Sequence, residues 1–258
     1  MIDISILQQL FDEPMYRNLA TALLTVVYVK VVIGLCNWAV SQNILAPKIS
    51  RKCIHIAAGS WIIFWPIFSK EHWTWKCNIL VPAVYTVQLF VKGAILNVGS
   101  SDEDVKTMTR TGSAAELLLG PIFFTILMCI VGLNFFRTQI GVVIMSMLGF
   151  GDGIAPLIGY YFPMGYYPTY PFGPTDKKTV TGSLGFFVAS CLGYYILKFV
   201  IDDNDDDDKM MVTGDDELSM IIRVAATAAI TEGITGPYDN PGVALSAGLT
   251  YYYLTKKD

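Results

Sequence analysis

Eight apolar stretches take up most of this 258-residue chain, at 18–40, 53–68, 77–96, 117–135, 138–162, 182–201, 218–235 and 241–255. They limit the fold more than any other feature. A helix crosses a bilayer with about 20 apolar residues. Most of these runs match that length; the second and last are short and either tilt, bury against neighbours or re-enter. The runs are too long and too unbroken for half-buried strands, which alternate. Charged residues make up 16%, against about 25% in soluble domains, and mean hydropathy is +0.48. The expected fold is all-α: a polytopic integral membrane helical bundle with seven or eight transmembrane helices. It forms one membrane domain over 1–258, with a tail at 1–17 and an acidic loop at 202–217.

The net charge of −4 is local, because six of the 22 acidic residues lie between Asp202 and Asp208. Without them, 18 basic residues face 16 acidic ones, so nucleic-acid binding has no support. The aspartate run lacks the spacing and closing Glu of an EF-hand and reads as a solvated loop. Five scattered cysteines show no paired or metal-ligand spacing. Asp3, Asp12 and Glu13 argue against an Arg/Ser-rich transit peptide, which points to the endoplasmic reticulum in preference to a plastid. Lys30 interrupts the first run and either snorkels or faces the bundle.

Asp152 is the only charged residue between Arg137 and Asp176. A carboxylate near the middle of a lipid-facing helix costs about 2.5–3.5 kcal/mol, so a protected polar site is expected. Glycines at 149, 151 and 153 let another group approach closely. The simplest occupant is Mg²⁺ bound to phosphate. Downstream, Lys177, Lys178, Thr179, Gly182 and Ser183 combine cations, hydroxyls and a glycine. A helix starting near Gly182 would aim free N–H groups at an anion. No Walker P-loop is present. Glu232 is a second carboxylate in an apolar helix. Arg223 lies nine residues earlier, on the opposite helix face, and is no partner for it.

If all eight runs span, the connections at 41–52, 97–116, 163–181 and 236–240 share one side. That side collects Arg51, Lys52, His55, Arg110, Glu116, Lys177, Lys178, Asp239 and Asn240. The Pro-, Gly- and Tyr-rich segment at 163–174 reads as a loop.

Gly151-Asp152-Gly153-Ile154-Ala155, Gly159 and Lys177-Lys178-Thr179-x-x-Gly182-Ser183 resemble the polyprenol kinase family. That family includes phytol, farnesol and dolichol kinases and CTP-dependent diacylglycerol kinases. Arg51-Lys52-x-x-His55, Glu116-Leu117-x-x-Gly120-Pro121 and Glu232 with Asp239-Asn240 resemble its other motifs, in the same order. The chain departs from the pattern at Pro156 and at Tyr160, where Arg is common. The resemblance implies a membrane lipid kinase that moves a phosphoryl group from CTP to a long-chain isoprenoid alcohol drawn from the bilayer. Asp152 would hold Mg²⁺. Lys177 and Lys178 would neutralise the triphosphate, with Thr179, Gly182 and Ser183 beside them. Glu232 or Asp239 would complete the metal shell or orient the hydroxyl. Arg51, Lys52 and Arg110 would add phosphate contacts, and His55, Glu116 and Asn240 are further candidates. Phosphatidate cytidylyltransferases share a distant Asp…Lys-Lys-Thr-x-x-Gly arrangement and stand second. An ion-coupled transporter, with Asp152 and Glu232 as intramembrane ligands, is the reading from another class.

Overall fold

The computed structural model describes residues 12–109, 111–169, 177–202 and 212–256. Helix α1 covers Pro14–Ser41 and α2 Pro47–Gly59, each opening on a proline, which lacks only an N–H the first turn leaves unbonded. A 3-10 segment, Ser60–Ile67, continues α2. A second, Trp73–Ile79, leads into α3, Leu80–Phe90, which ends in a π-helical turn at Val91–Ile95. Short α4, Glu103–Met108, is capped by Asp102, whose side chain accepts from the N–H groups of Asp104 and Val105. Helix α5 is Gly120–Asn134. Helices α6, Gln139–Met145, and α7, Asp152–Tyr161, run through a π-helical turn at Ser146–Gly151. Strands β1, Tyr166–Pro168, and β2, Lys177–Thr179, pair antiparallel. Helices α8, Val180–Asp202, α9, Gly214–Thr235, and α10, Asp239–Thr255, complete the described chain.

Six helical segments are long and apolar enough to cross a membrane: 14–41, 73–95, 114–134, 139–161, 180–201 and 214–235. The architecture is the expected all-α membrane bundle, with a slightly lower count. The two shortfalls are the short runs. The stretch at 53–68 divides at Gly59 into an α and a 3-10 segment with Pro66 inside, and α10 has only 17 residues. The loop expected at 163–174 contains strand β1, whose register sets Tyr167 opposite Lys178.

The 139–161 segment is the axis of the bundle: 72% of its apolar window is buried, against 22–44% for the other five. Val142, Val143, Met145, Met147 and Leu148 are sealed there, packed with Trp61, Trp65, Phe186 and Tyr194. Asp152 itself is only 5% exposed. Asp152 therefore lies at the centre of the protein and not on a lipid face.

Candidate active site

The π-helical turn at 146–151 precedes Asp152 directly. Such turns insert an extra residue into the helix and recur at functional sites. Here the turn lies against α2 through glycines on both sides. A Cβ built on Gly59 would come within 2.4 Å of the Gly149 Cα, so neither position accepts a side chain without movement. This backbone-to-backbone approach brings the polar face of α2 onto Asp152. Lys52 Nζ lies 3.0 Å from Asp152 Oδ2 and donates to the Asp152 backbone oxygen at 2.8 Å. His55 Nε2 is 3.0 Å from the same Oδ2 and 2.8 Å from the Leu148 oxygen. Its ring stacks on Phe124 with centroids 4.0 Å apart.

A second ion pair faces the first. The β1–β2 hairpin presents Lys178, whose Nζ donates to both the Oε1 and the backbone oxygen of Glu232. Gly236, at φ +53°, reverses the chain after α9 and returns Asp239 toward Glu232. Asp239 Oδ2 is 4.0 Å from Lys178 Nζ. Asn240 fixes that return, since its Nδ2 donates to the Gly120 oxygen at 3.0 Å. Burial alone would lower the Lys178 pKa, but the charges of Glu232 and Asp239 outweigh it and raise it. Lys178 therefore stays an ammonium. Burial, then the charge of Asp152, push the Asp239 carboxyl above the usual aspartate range, against the pull of Lys178 and Lys52.

Asp152, Glu232 and Asp239 each offer an oxygen within 4.8 Å of the others. An all-carboxylate set suits a hard divalent cation, whose oxygen ligands lie at about 2.0–2.6 Å. It does not suit zinc, which favours nitrogen and sulfur. The donor set therefore fits a hard divalent cation, of which Mg²⁺ is one.

Two cavities meet at this cluster. One, of about 340 Å³, is polar and lined by Lys178, Thr179, Gly182, Ser183, Glu232 and Tyr166, among others. The other, of about 160 Å³, is mainly apolar and runs between α1, α2, α3 and α5 past Tyr85, Leu89, Phe124, Trp61 and Met128. Arg51, Lys52, Asp152 and Asp239 line both and form the wall between them.

The remaining expected residues are placed as follows. Thr179 Oγ1 accepts from the Gly182 N–H at 3.0 Å, so Thr179 caps the helix and that N–H is not turned toward an anion. Gly182 also packs closely on Gly159 and the Ala155 oxygen. Ser183 Oγ bonds Tyr167 OH at 2.6 Å. Lys52 serves as the partner of Asp152 besides lining the polar cavity. His55 and Asn240 line the apolar cavity. Glu116 lines neither cavity and accepts from Thr111 N–H at 3.1 Å. Arg110, the Lys177 side chain and residues 203–208 lie outside the described residues. The wall of the apolar cavity was not anticipated, although Pro82, Tyr85 and Leu89, and Pro121, Phe124 and Met128, recur at helical spacing.

No family model matches the chain, and no solved structure matches it. A "Probable phytol kinase 1, chloroplastic" of Glycine max is 34% identical over 161 residues, 60% of this chain and 51% of that protein. "Phytol kinase 1, chloroplastic" of Arabidopsis thaliana is 32% identical over 161 residues, again 60% and 51%. A "Probable phytol kinase, chloroplastic" of Zea mays is 26% identical over 220 residues, 83% of this chain and 69% of that protein. The chain thus spans about half the length of the first two relatives. The resemblance read from the motifs, to a phytol kinase-like family, is borne out. The expected endoplasmic reticulum location is not: the relatives are named chloroplastic. That expectation rested only on acidic residues in the first few positions, a local feature that says nothing of where a membrane core resides.

Proposed function

We propose that the chain is a lipid kinase of a plastid membrane that phosphorylates a long-chain isoprenoid alcohol from a nucleoside triphosphate. The observation that carries this is the wall shared by the two cavities. A phosphoryl acceptor with an apolar tail and a highly charged donor must meet at one point. Here an apolar cavity and a carboxylate–lysine cavity meet at Asp152 and Asp239. The relatives named phytol kinases support the alcohol class. The motif resemblance suggests CTP as donor.

Phosphoryl transfer depends on positioning and charge stabilisation. Lys178, and Arg51 beside it in the polar cavity, would meet the phosphate oxygens. Asp152 and Glu232 would hold Mg²⁺, with Asp239 able to complete the set. When bound, the metal supplies charge neutralisation across the phosphates. Asp239 borders the apolar cavity and would orient the alcohol's hydroxyl. The hydroxyl oxygen attacks the γ-phosphorus, the bond from that phosphorus to the β,γ-bridging oxygen breaks, and Asp239 takes the hydroxyl proton. The products are an alkyl phosphate and a nucleoside diphosphate.

The test uses the purified chain in lipid nanodiscs with γ-labelled CTP or ATP, Mg²⁺, and phytol, farnesol, dolichol or diacylglycerol. Label should pass to an isoprenoid alcohol. A folded preparation that labels none of them, or that transfers a cytidylyl group to phosphatidate, overturns the proposal.

A further inference from the structure

We infer that the alcohol reaches the apolar cavity sideways, through a seam between α1 and α3, and that Lys30 and Tyr85 form the latch on that seam. The inference rests on the kinase reading for the identity of the occupant.

Helix α1 is buried only along its first half; beyond it the Tyr28 hydroxyl donates to the Ala57 oxygen at 3.2 Å and its ring meets Phe64 edge-on. Its fully buried residues are Asn18, Thr21, Ala22 and Thr25. Asn18 is clamped there, donating to the Ser69 oxygen at 2.9 Å and to Thr74 Oγ1 at 3.0 Å. No residue from 26 to 41 is buried. Yet Val29 and Ile33, in this less buried half, line the apolar cavity. On α3, Tyr85 lines the same cavity, while its neighbours Val84 and Val87 are exposed. The cavity is therefore separated from lipid at this seam by a single layer of side chains.

Lys30 marks the seam. It stands within an apolar span, exposed, with its Nζ 5.9 Å from the centroid of the Tyr85 ring. Among the described residues no carboxylate pairs with it. A charge at this depth is costly and, where kept, marks a functional path. An ammonium over an aromatic face gains about 0.5–1 kcal/mol at an exposed site. That biases the seam toward the closed arrangement and is weak enough to open thermally. The ammonium also gives a passing hydroxyl a hydrogen-bond donor in a region of hydrocarbon.

The cavity's length bears on which alcohols fit. From Gly120 to Met128 its α5 wall covers eight residues of rise, or about 12 Å. An extended diterpenoid tail is longer, so its far end must leave the cavity. The seam is the wall through which it can do so and remain in lipid. The protein would then read the head-proximal part of the chain and tolerate variation beyond it.

The test uses the full chain in nanodiscs with a tritiated prenol carrying a diazirine near its tail end. Photolabel should map to α1 and α3 around Val29, Ile33 and Tyr85, and unlabelled phytol should displace it. Lys30→Met should change the ratio of kcat/KM for a long prenol over a short one by about two- to fivefold, with the nucleotide KM unmoved. Label confined to α8 and α9, or a Lys30→Met effect equal for all tail lengths, overturns the portal. If competed label maps to the seam but no alcohol is phosphorylated, the portal stands and the kinase reading falls. If alcohols are phosphorylated and the label lies elsewhere, the reverse holds.

Discussion

Lys52 holds Asp152 through two atoms at once, the carboxylate oxygen at 3.0 Å and the backbone oxygen at 2.8 Å. The pair is buried, so removing one partner leaves an uncompensated charge. Lys52→Met should destabilise the protein by about 3–5 kcal/mol. Adding Asp152→Asn should restore much of that stability and none of the turnover. Thermal unfolding in detergent beside the transfer assay separates the two effects. Equal melting of Lys52→Met and wild type would show that the pair is not structural.

Asp152→Asn alone keeps the shape and removes the charge. Turnover should fall by about a hundredfold or more, and the melting temperature should fall too, though less than in Lys52→Met, because the amide still accepts from Lys52 while the ammonium loses its counter-charge. Near wild-type turnover at limiting Mg²⁺ would remove Asp152 from the mechanism.

Glu232→Gln should lower turnover strongly and raise the Mg²⁺ concentration needed for half-maximal rate. Lys178→Ala should raise the KM for nucleotide more than for alcohol, since its charge faces the polar cavity. If both variants altered only the alcohol's KM, the roles assigned to the two cavities would have to be exchanged.

Gly149→Ala places a methyl group against the Gly59 backbone, where a Cβ would lie 2.9 Å from the Gly59 Cα. Both neighbours are backbone and cannot rotate away. A cost of about 1–3 kcal/mol is expected, with loss of activity as α2 is pushed off Asp152. Wild-type activity and stability in this variant would show that the contact tolerates more space than the structure has.

Deleting Asp203–Asp208 should leave activity intact. The segment itself is outside the described residues, but its flanks are secured without it. Lys198 Nζ lies 2.7 Å from Glu217 Oε1, and Gln139 Nε2 donates to Tyr194 OH and to the Val212 oxygen, each at 2.9 Å. The candidate site is at the opposite ends of α8 and α9, about 33 Å away along α8. Lost catalysis in a normally inserted deletion would break this separation of ends.

How far the sequence could be read follows from what each residue needed. Asp152 and Glu232 were legible because a carboxylate in an apolar run has few stable positions. The spans were legible from length, apart from the last run, which forms only the 17-residue α10, and 53–68, where Arg51, Lys52 and His55 give one helix face to the site and Pro66 breaks the regular bonding. The division of labour between lysines was not legible. Lys52 was grouped with phosphate contacts, yet the Gly59–Gly149 approach, a contact across 90 positions of sequence, commits it to Asp152. The apolar cavity was hidden for a related reason. Its lining uses ordinary core residues, and only the gap left by the less buried half of α1 makes them a cavity.

The wall shared by the two cavities also has a consequence for the membrane as a two-sided object. Both cavities share Arg51, Lys52, Asp152 and Asp239, so whichever way the lipid tail enters, its reacting end meets the donor at the end of the bundle that carries these residues. In the kinase reading, the water-soluble donor and the new phosphate head therefore belong to one aqueous compartment. The phosphorylated lipid emerges in the leaflet facing the nucleotide pool that made it. On that reading no flipping would be needed within the catalytic cycle, and one monolayer would be loaded with an anionic amphiphile while the other was left untouched.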